Sequence, residues 1–328
     1  MKKHFVLICF SCLFYLVLFI EGCDKGTEKS DELEKSKKSQ EIRASLDGDI
    51  VFINKNLEIE KAEAKAGGLK TMIGSQSVNI IGPKWSPAGT KVAFIKQKGD
   101  PLQVQNWFLS IVSAEGVEQH EWLMGPSDQM LIKAITWSPD GNIIAILTEN
   151  KILYITAGTG EYTETSLLSG DESYRSIAWW PGGNKIAVSA TKWSLGGSLS
   201  SIWLFKTYEN NPPKSQENLL LSSAGSIEYM DWSRDGSKLA YSGSDYYSSI
   251  YVINSDGSDN MEIILMGLYK DEEVRGIFPC WSSNNEQIIY AGATGVKGST
   301  LIPGLFVTDI FGSYKVNISI AGEFPDWF

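Results

Sequence analysis

Residues 137–146 read Trp-Ser-Pro-Asp-Gly-Asn-Ile-Ile-Ala-Ile. The first half is a turn: proline presets φ, aspartate bonds nearby backbone, and glycine accepts positive φ. The second half is aliphatic and β-branched, the composition of a buried strand. The same pattern recurs at Lys84-Trp85-Ser86-Pro87-Ala88-Gly89 before Lys91–Phe94, and at Trp179-Trp180-Pro181-Gly182-Gly183 before Ile186–Val188. It returns at Trp232-Ser233-Arg234-Asp235-Gly236 before Leu239–Tyr241, and at Trp281-Ser282-Ser283-Asn284-Asn285 before Ile288–Tyr290. Trp327 is the sixth anchor. The tryptophans stand 52, 42, 53, 49 and 46 residues apart, within the range of periods that propeller blades occupy.

Working outward from each turn, a third strand follows the second: Trp107–Val112, Ile152–Ile155, Ile202–Phe205, Ile250–Ile253 and Leu305–Val307. These runs are apolar on both faces, which fits sheets covered on both sides by neighbouring sheets better than a sandwich with one wet face. A fourth strand such as Glu262–Leu265 completes a four-stranded unit. Ahead of the first unit, Asp49–Asn54, Leu57–Ala62 and Leu69–Ile73 read as three strands lacking a first, and Phe324-Pro325-Asp326-Trp327 reads as a first strand lacking its blade. Joining the two ends gives an all-β, six-bladed β-propeller of four-stranded antiparallel blades. The sixth blade is closed by the N-terminal strands plus the C-terminal strand, which removes open sheet edges.

The turn, the Ile-Ala-Phe-like second strand and the segment Ser249–Gly257, Ser-Ile-Tyr-Val-Ile-Asn-Ser-Asp-Gly, together resemble the repeat of the TolB-type propellers. The resemblance covers residues 46–328. It implies a protein- or peptide-binding module of the cell envelope, and a propeller-only relative, since residues 23–45 leave no room for a further α/β domain.

Residues 1–22 carry Lys2 and Lys3, then an apolar run from Phe5 to Ile20 broken only by the polar Ser11. That run is short for a membrane span, which needs about 20 apolar residues, and has the form of a signal peptide. Ile20-Glu21-Gly22-Cys23 resembles a bacterial lipobox, in which Cys23 is lipidated; Glu21 departs from the small or apolar residue usual there. Cys9 and Cys12 leave with the signal, so Cys280 remains alone in the body and reads as a small buried hydrophobe. Residues 24–45 hold six acids, six bases and only two large apolar residues, Leu33 and Ile42. They read as a solvated tether, with a surface helix as the alternative. The expected organisation is therefore signal 1–22, lipidated cysteine and tether 23–45, and propeller 46–328. The protein is expected outside the cytoplasm, held to a membrane through its lipid alone, and monomeric.

At 328 residues and 21% charged, with a net charge of −10, the chain has no basic excess for a phosphate backbone, so nucleic acid is not an expected partner. No nucleophile elbow, phosphate loop or multi-histidine set occurs, since His120 is the only histidine beyond His4 in the signal. His120 reads as a solvated strand residue. No catalytic residue, metal site or cofactor is assigned. Asp171-Glu172 and Asp271-Glu272-Glu273 keep a second class open, a carboxylate-based enzyme or sensor binding a glycan or small ligand in the central funnel.

Binding is the first reading. Hairpins alternate ends, so the connections from second to third strands, and from fourth strands to the next blade, emerge on the face opposite the repeated turns. Read as loops, Lys96–Asn106, Ala190–Ser200, Gly243–Ser249, Ala291–Pro303, Asp171–Arg175 and Leu268–Gly276 gather there. They carry Trp193, Tyr246, Tyr247, Tyr174, Arg175, Tyr269 and Arg275, residue types enriched at protein contacts. These seven form the expected binding rim.

Overall fold

The computed structural model describes residues 36–65, 68–74, 79–99, 103–167, 171–195, 197–208, 218–244, 248–264, 267–269, 272–296 and 302–328. The signal segment, Cys23, Tyr246 and Tyr247 lie outside them. The chain divides into two units, 1–46 and 47–328. In the first, residues 36–45 form a helix, the alternative form expected for this stretch. Lysine, glutamate, glutamine and alanine are good helix formers, and they fill much of this segment.

The second unit is a six-bladed propeller. Blade 1 runs Ile80–Trp85, Lys91–Lys98, Asn106–Ser113, Glu118–Pro126; blade 2, Ile132–Trp137, Ile143–Thr148, Lys151–Thr156, Tyr162–Ser166. Blade 3 runs Glu172–Trp179, Lys185–Ser194, Gly197–Lys206, Leu219–Ala224; blade 4, Ser226–Trp232, Lys238–Ser244, Ser248–Asn254, Met261–Ile264. Blade 5 is Glu272–Trp281, Gln287–Val296, Ile302–Asp309 and Val316–Asn317, with Gly267–Tyr269 added as a fifth strand on its inner edge. Blade 6 joins Glu323–Trp327 to Asp49–Ile53, Ile59–Glu63 and Leu69–Ile73. The six first strands meet one another in cyclic order, the last touching the first. They therefore surround the axis.

Closure rests on several bonds at once. Trp327 pairs with Ile50 and Asp326 with Val51, Phe328 and Asp49 exchange both backbone bonds at 2.8 and 2.9 Å, and the Trp327 indole donates to the Asp47 carbonyl at 2.6 Å. Phe328 lies on Gly89, where an added Cβ would sit 2.0 Å from the ring, and Gly89 has φ +65°. Glycine in the first turn is thus required by the last residue.

Each first strand turns one edge toward the axis, where its amides lack a ladder partner. In four blades the residue before the anchor tryptophan meets that need. Thr136 Oγ1 accepts from the Trp179 amide at 3.2 Å, Asp231 Oδ2 from Trp281 at 2.8 Å, Cys280 Sγ from Trp327 at 3.2 Å and Asp326 Oδ2 from Trp85 at 2.6 Å. Lys84 and Ala178 hold this place in blades 1 and 3 and bring no acceptor. Layers of buried branched and aromatic side chains lie between neighbouring blades; Trp137, Ile144, Ile146 and Leu153 are typical of the layer between blades 1 and 2.

Several segments expected as loops are strands, among them residues 291–296, 267–269 and 272–276 in blade 5. The blade 3 hairpin continues to Ser194 and resumes at Gly197, and residues 172–175 belong to the first strand of that blade. Serine and threonine keep the alternation where large apolar residues run out: Thr191 and Ser200 are buried and bond each other at 2.7 Å.

Candidate functional site

The two ends of the axis differ in chemistry. At the end opposite the turns, three residues before each anchor, blades 1–3 carry Gly82, Ala134 and Ser176, while blades 4–6 carry Tyr229, Phe278 and Phe324. The aromatics lean into the space the small residues leave. Ring centroids are 3.9 Å apart for Tyr229–Phe278 and for Phe278–Phe324, and 5.8 Å for Tyr229–Phe324. Together the six positions line a cavity of about 50 Å³. Phe278 and Phe324 have φ of 56° and 51°, a strained conformation for bulky residues that persists only where the surroundings enforce it. Gly82 holds the same place in blade 1 at φ +82° without that cost. Burial, with Glu228 and Glu323 nearby, pushes the Tyr229 hydroxyl up to about 12.

One residue further out the mouth is polarised, with Lys133 and Arg175 on blades 2 and 3 and Glu228 and Glu323 on blades 4 and 6. Arg175 Nη1 lies 3.4 Å from Glu228, and its guanidinium lies 5.9 Å from the Trp193 ring centroid. Trp193 is 56% exposed. It stands on a hairpin of ten-residue strands, whereas the corresponding strands of blade 2 have six residues. Four extra residues carry this hairpin roughly 13 Å past its neighbour. Leu195 and Leu199 are exposed on it as well.

Of the seven expected rim residues, the structure brings Trp193 and Arg175 together. Tyr174 is corrected: it is 1% exposed, inside the layer between blades 2 and 3, because strand alternation sends it to the face opposite Arg175. It presents no surface to a partner. Tyr269 falls in the added strand of blade 5 and Arg275 in that blade's first strand.

At the turn end lies a chamber of about 360 Å³. Lys84, Asp231, Arg234 and Asp326 all line it. Lys84 Nζ is 2.8 Å from Asp326, and Arg234 Nη2 donates to the Trp327 carbonyl at 2.6 Å. Burial raises the Asp231 carboxyl, an effect that Lys84 oppose in part together with Arg234. Burial works against the Lys84 ammonium, but Asp326 and Asp231 outweigh it and hold the proton on. Asp231, Cys280 and Asp326 bring ligand-type atoms within 4.8 Å of one another, yet the positive charge beside them comes from Lys84 and Arg234. Burial, reinforced by both aspartates, pushes the Cys280 thiol up. His120 stacks on Trp122 at 4.9 Å in an outer strand, far in sequence from every axial position. Sequence reading missed this chamber. The signal lay in two repeat positions, the residue before the anchor and the second after it, which are charged at Lys84, Asp231, Asp326 and Arg234 and uncharged elsewhere.

The fold is that of a six-bladed propeller, similar in form to solved TolB structures. No protein-family profile and no curated sequence matches the chain. Among solved structures it is similar to TolB from Acinetobacter baumannii at 18% identity and TM-score 0.59, over 85% of this chain and 66% of that one, just under two thirds of its length. The structure of a TolB-type protein from Agrobacterium tumefaciens matches at 14% identity and TM-score 0.54, over 85% and 91% of the two chains. An oligogalacturonate lyase in complex with manganese matches at 10% identity and TM-score 0.53, over 83% and 73%. Likeness at these identities is likeness of fold.

Proposed function

We propose that the protein is an exported lipoprotein whose propeller binds a protein or peptide of the cell envelope on the face opposite the repeated turns. Residues 1–22 are the signal, Cys23 takes the lipid, residues 24–45 space the body from the membrane, and the propeller acts as a monomeric scaffold. Among the described residues no helix is long and apolar enough to cross a membrane, and the address rests on the sequence pattern around Cys23.

The observation that carries the binding reading is Trp193, an exposed indole on a projecting hairpin with the Arg175 guanidinium close by. Tryptophan and arginine dominate contact energies, and a large ring left in water on a rigid ladder is pre-organised to bury area at low entropic cost. A cross-linked pull-down from the native envelope tests it. The wild type should recover a partner that Trp193→Ala loses; equal recovery by both moves the surface elsewhere. The address is tested separately, by incorporation of labelled fatty acid into the wild type and not into Cys23→Ala.

A further inference from the structure

Within a repeat, positions that keep the pattern serve the fold, so the positions that leave it are informative. The second residue after the anchor is proline in blades 1–3, Pro87, Pro139 and Pro181, but Arg234 in blade 4. The residue before the anchor is Thr136 or Ala178 in blades 2 and 3, but Lys84, Asp231 and Asp326 in blades 1, 4 and 6. Blade 5 carries Cys280 and Ser283 at these places, and the four charged residues, spread over the 242 residues between Lys84 and Asp326, line one cavity.

The cavity, at about 360 Å³, falls at the lower end of the range of roughly 300–1,000 Å³ typical of small-molecule sites. Two further features single it out. Four anchor indoles, Trp137, Trp179, Trp281 and Trp327, donate to backbone carbonyls, whereas the buried indole nitrogens of Trp85 and Trp232 have no partner. Both of those rings contribute to the chamber wall, with their nitrogens buried behind its surface rather than open to it. Second, the charges balance, two carboxylates against an ammonium and a guanidinium. A simple cation entering meets Lys84 and Arg234, and a simple anion meets Asp231 and Asp326. A hydroxyl group serves both kinds of neighbour, donating to a carboxylate and accepting from a cation. The three proline rings add an apolar wall for the C–H face of a saturated ring.

We propose that the turn-end chamber binds a neutral polyhydroxylated ligand, one sugar ring held between the Asp231 and Asp326 carboxylates and the Lys84 and Arg234 cations. The site is independent of the partner face at the other end of the axis. Four chamber tryptophans make intrinsic fluorescence and indole amide resonances direct reporters, with D-glucose, D-galactose and N-acetyl-D-glucosamine as probes and calcium chloride and sodium acetate as ionic controls.

Two variants put back residues the repeat already uses. Asp231→Thr places the Thr136 residue type where it can still accept the Trp281 amide, and Arg234→Pro restores the turn of blades 1–3. At least one sugar should saturate the wild type, and each folded variant should weaken it by about tenfold or more. The proposal is overturned if no sugar gives a saturable change, if only calcium or acetate does, or if sugar binding is unchanged in a variant that melts cooperatively. Should one variant fail to fold, the other decides, and the wild-type titration stands alone.

Discussion

The turn end and the opposite end of the ring are built from the same six strands, yet one is repetitive and hydrogen-bonded and the other is irregular. At the turn end, Ser86, Ser138, Ser233 and Ser282 are all buried, and all four accept the equivalent turn-closing amides, from Lys91, Ile143, Lys238 and Gln287. At the other end, hairpin length changes from blade to blade, an indole stands in water, and two phenylalanines hold left-handed backbone. The turn end holds the ring shut. The other end is free to differ because little of the closure depends on it. Substitutions in the turns of the first should therefore cost stability, and substitutions at the second should cost binding of the protein partner.

The sharpest break in that comparison is deletion of residues 324–328, which removes a ladder, the Trp327 packing and the Phe328 bonds. Loss of a buried tryptophan alone is worth about 3–5 kcal/mol against a domain stability of roughly 5–15 kcal/mol. The melting temperature should fall steeply, and an unchanged one would contradict the closure. Next, Asp326→Ala removes the acceptor of the Trp85 amide and leaves Lys84 without its 2.8 Å partner. A cost of about 3 kcal/mol is expected. Thr136→Ala removes only a neutral bond of the same kind, and denaturant unfolding should show about 1 kcal/mol. Equal costs would mean that charge adds nothing at the axis.

Trp193→Ala, at the other end, should change stability by less than about 0.5 kcal/mol and weaken partner binding by about 2 kcal/mol or more. The reverse pattern would make Trp193 a packing residue.

The smallest effects are those of pH. Hydrogen bonds from Ser138 and from the Asn142 amide hold Asp140 below the usual carboxylate range, and Ser233 and Ser237 do the same for Asp235. A carboxyl with a depressed folded pKa contributes stability above its unfolded value of 3.8, and that contribution disappears as pH falls through the folded value. Asp231 runs the other way: raised by burial, it costs stability as pH rises above 3.8. Unfolding measured across this window should show wild type and Asp140→Asn converging below pH 3.8, and Asp231→Asn should not follow that course.

The blades were legible because the turn chemistry repeats, and Trp-Ser-Pro-Asp-Gly names a reversal wherever it stands. Closure was legible because Phe324–Trp327 copies the pattern of Phe278–Trp281. The polar end of the blade 3 hairpin was not, since Thr191 and Ser200 supply a buried bond in place of a large apolar side chain. Tyr174 misled for a related reason: read as a loop, its side chain had no assigned face, and once 172–179 is a strand the alternation decides. Arg175 and Trp193 could be placed on one rim by hairpin direction. Arg175 itself falls in the register shift between Tyr174 and Ile177, an irregularity no local residue pattern announced, and its guanidinium lies 5.9 Å from the Trp193 ring centroid. The axial charges lay hidden because Lys84, Asp231 and Asp326 meet only when the ring closes.

Site-specific photo-cross-linking in the native envelope tests the central claim most directly. A photoreactive residue is placed in turn at positions 193 and 199 on the projecting hairpin and at 88 and 284 in the repeated turns. A protein adduct formed from 193 and 199 and absent from 88 and 284 is the predicted result. Adducts from the turn positions alone, or equally from both ends, would contradict a partner face opposite the turns.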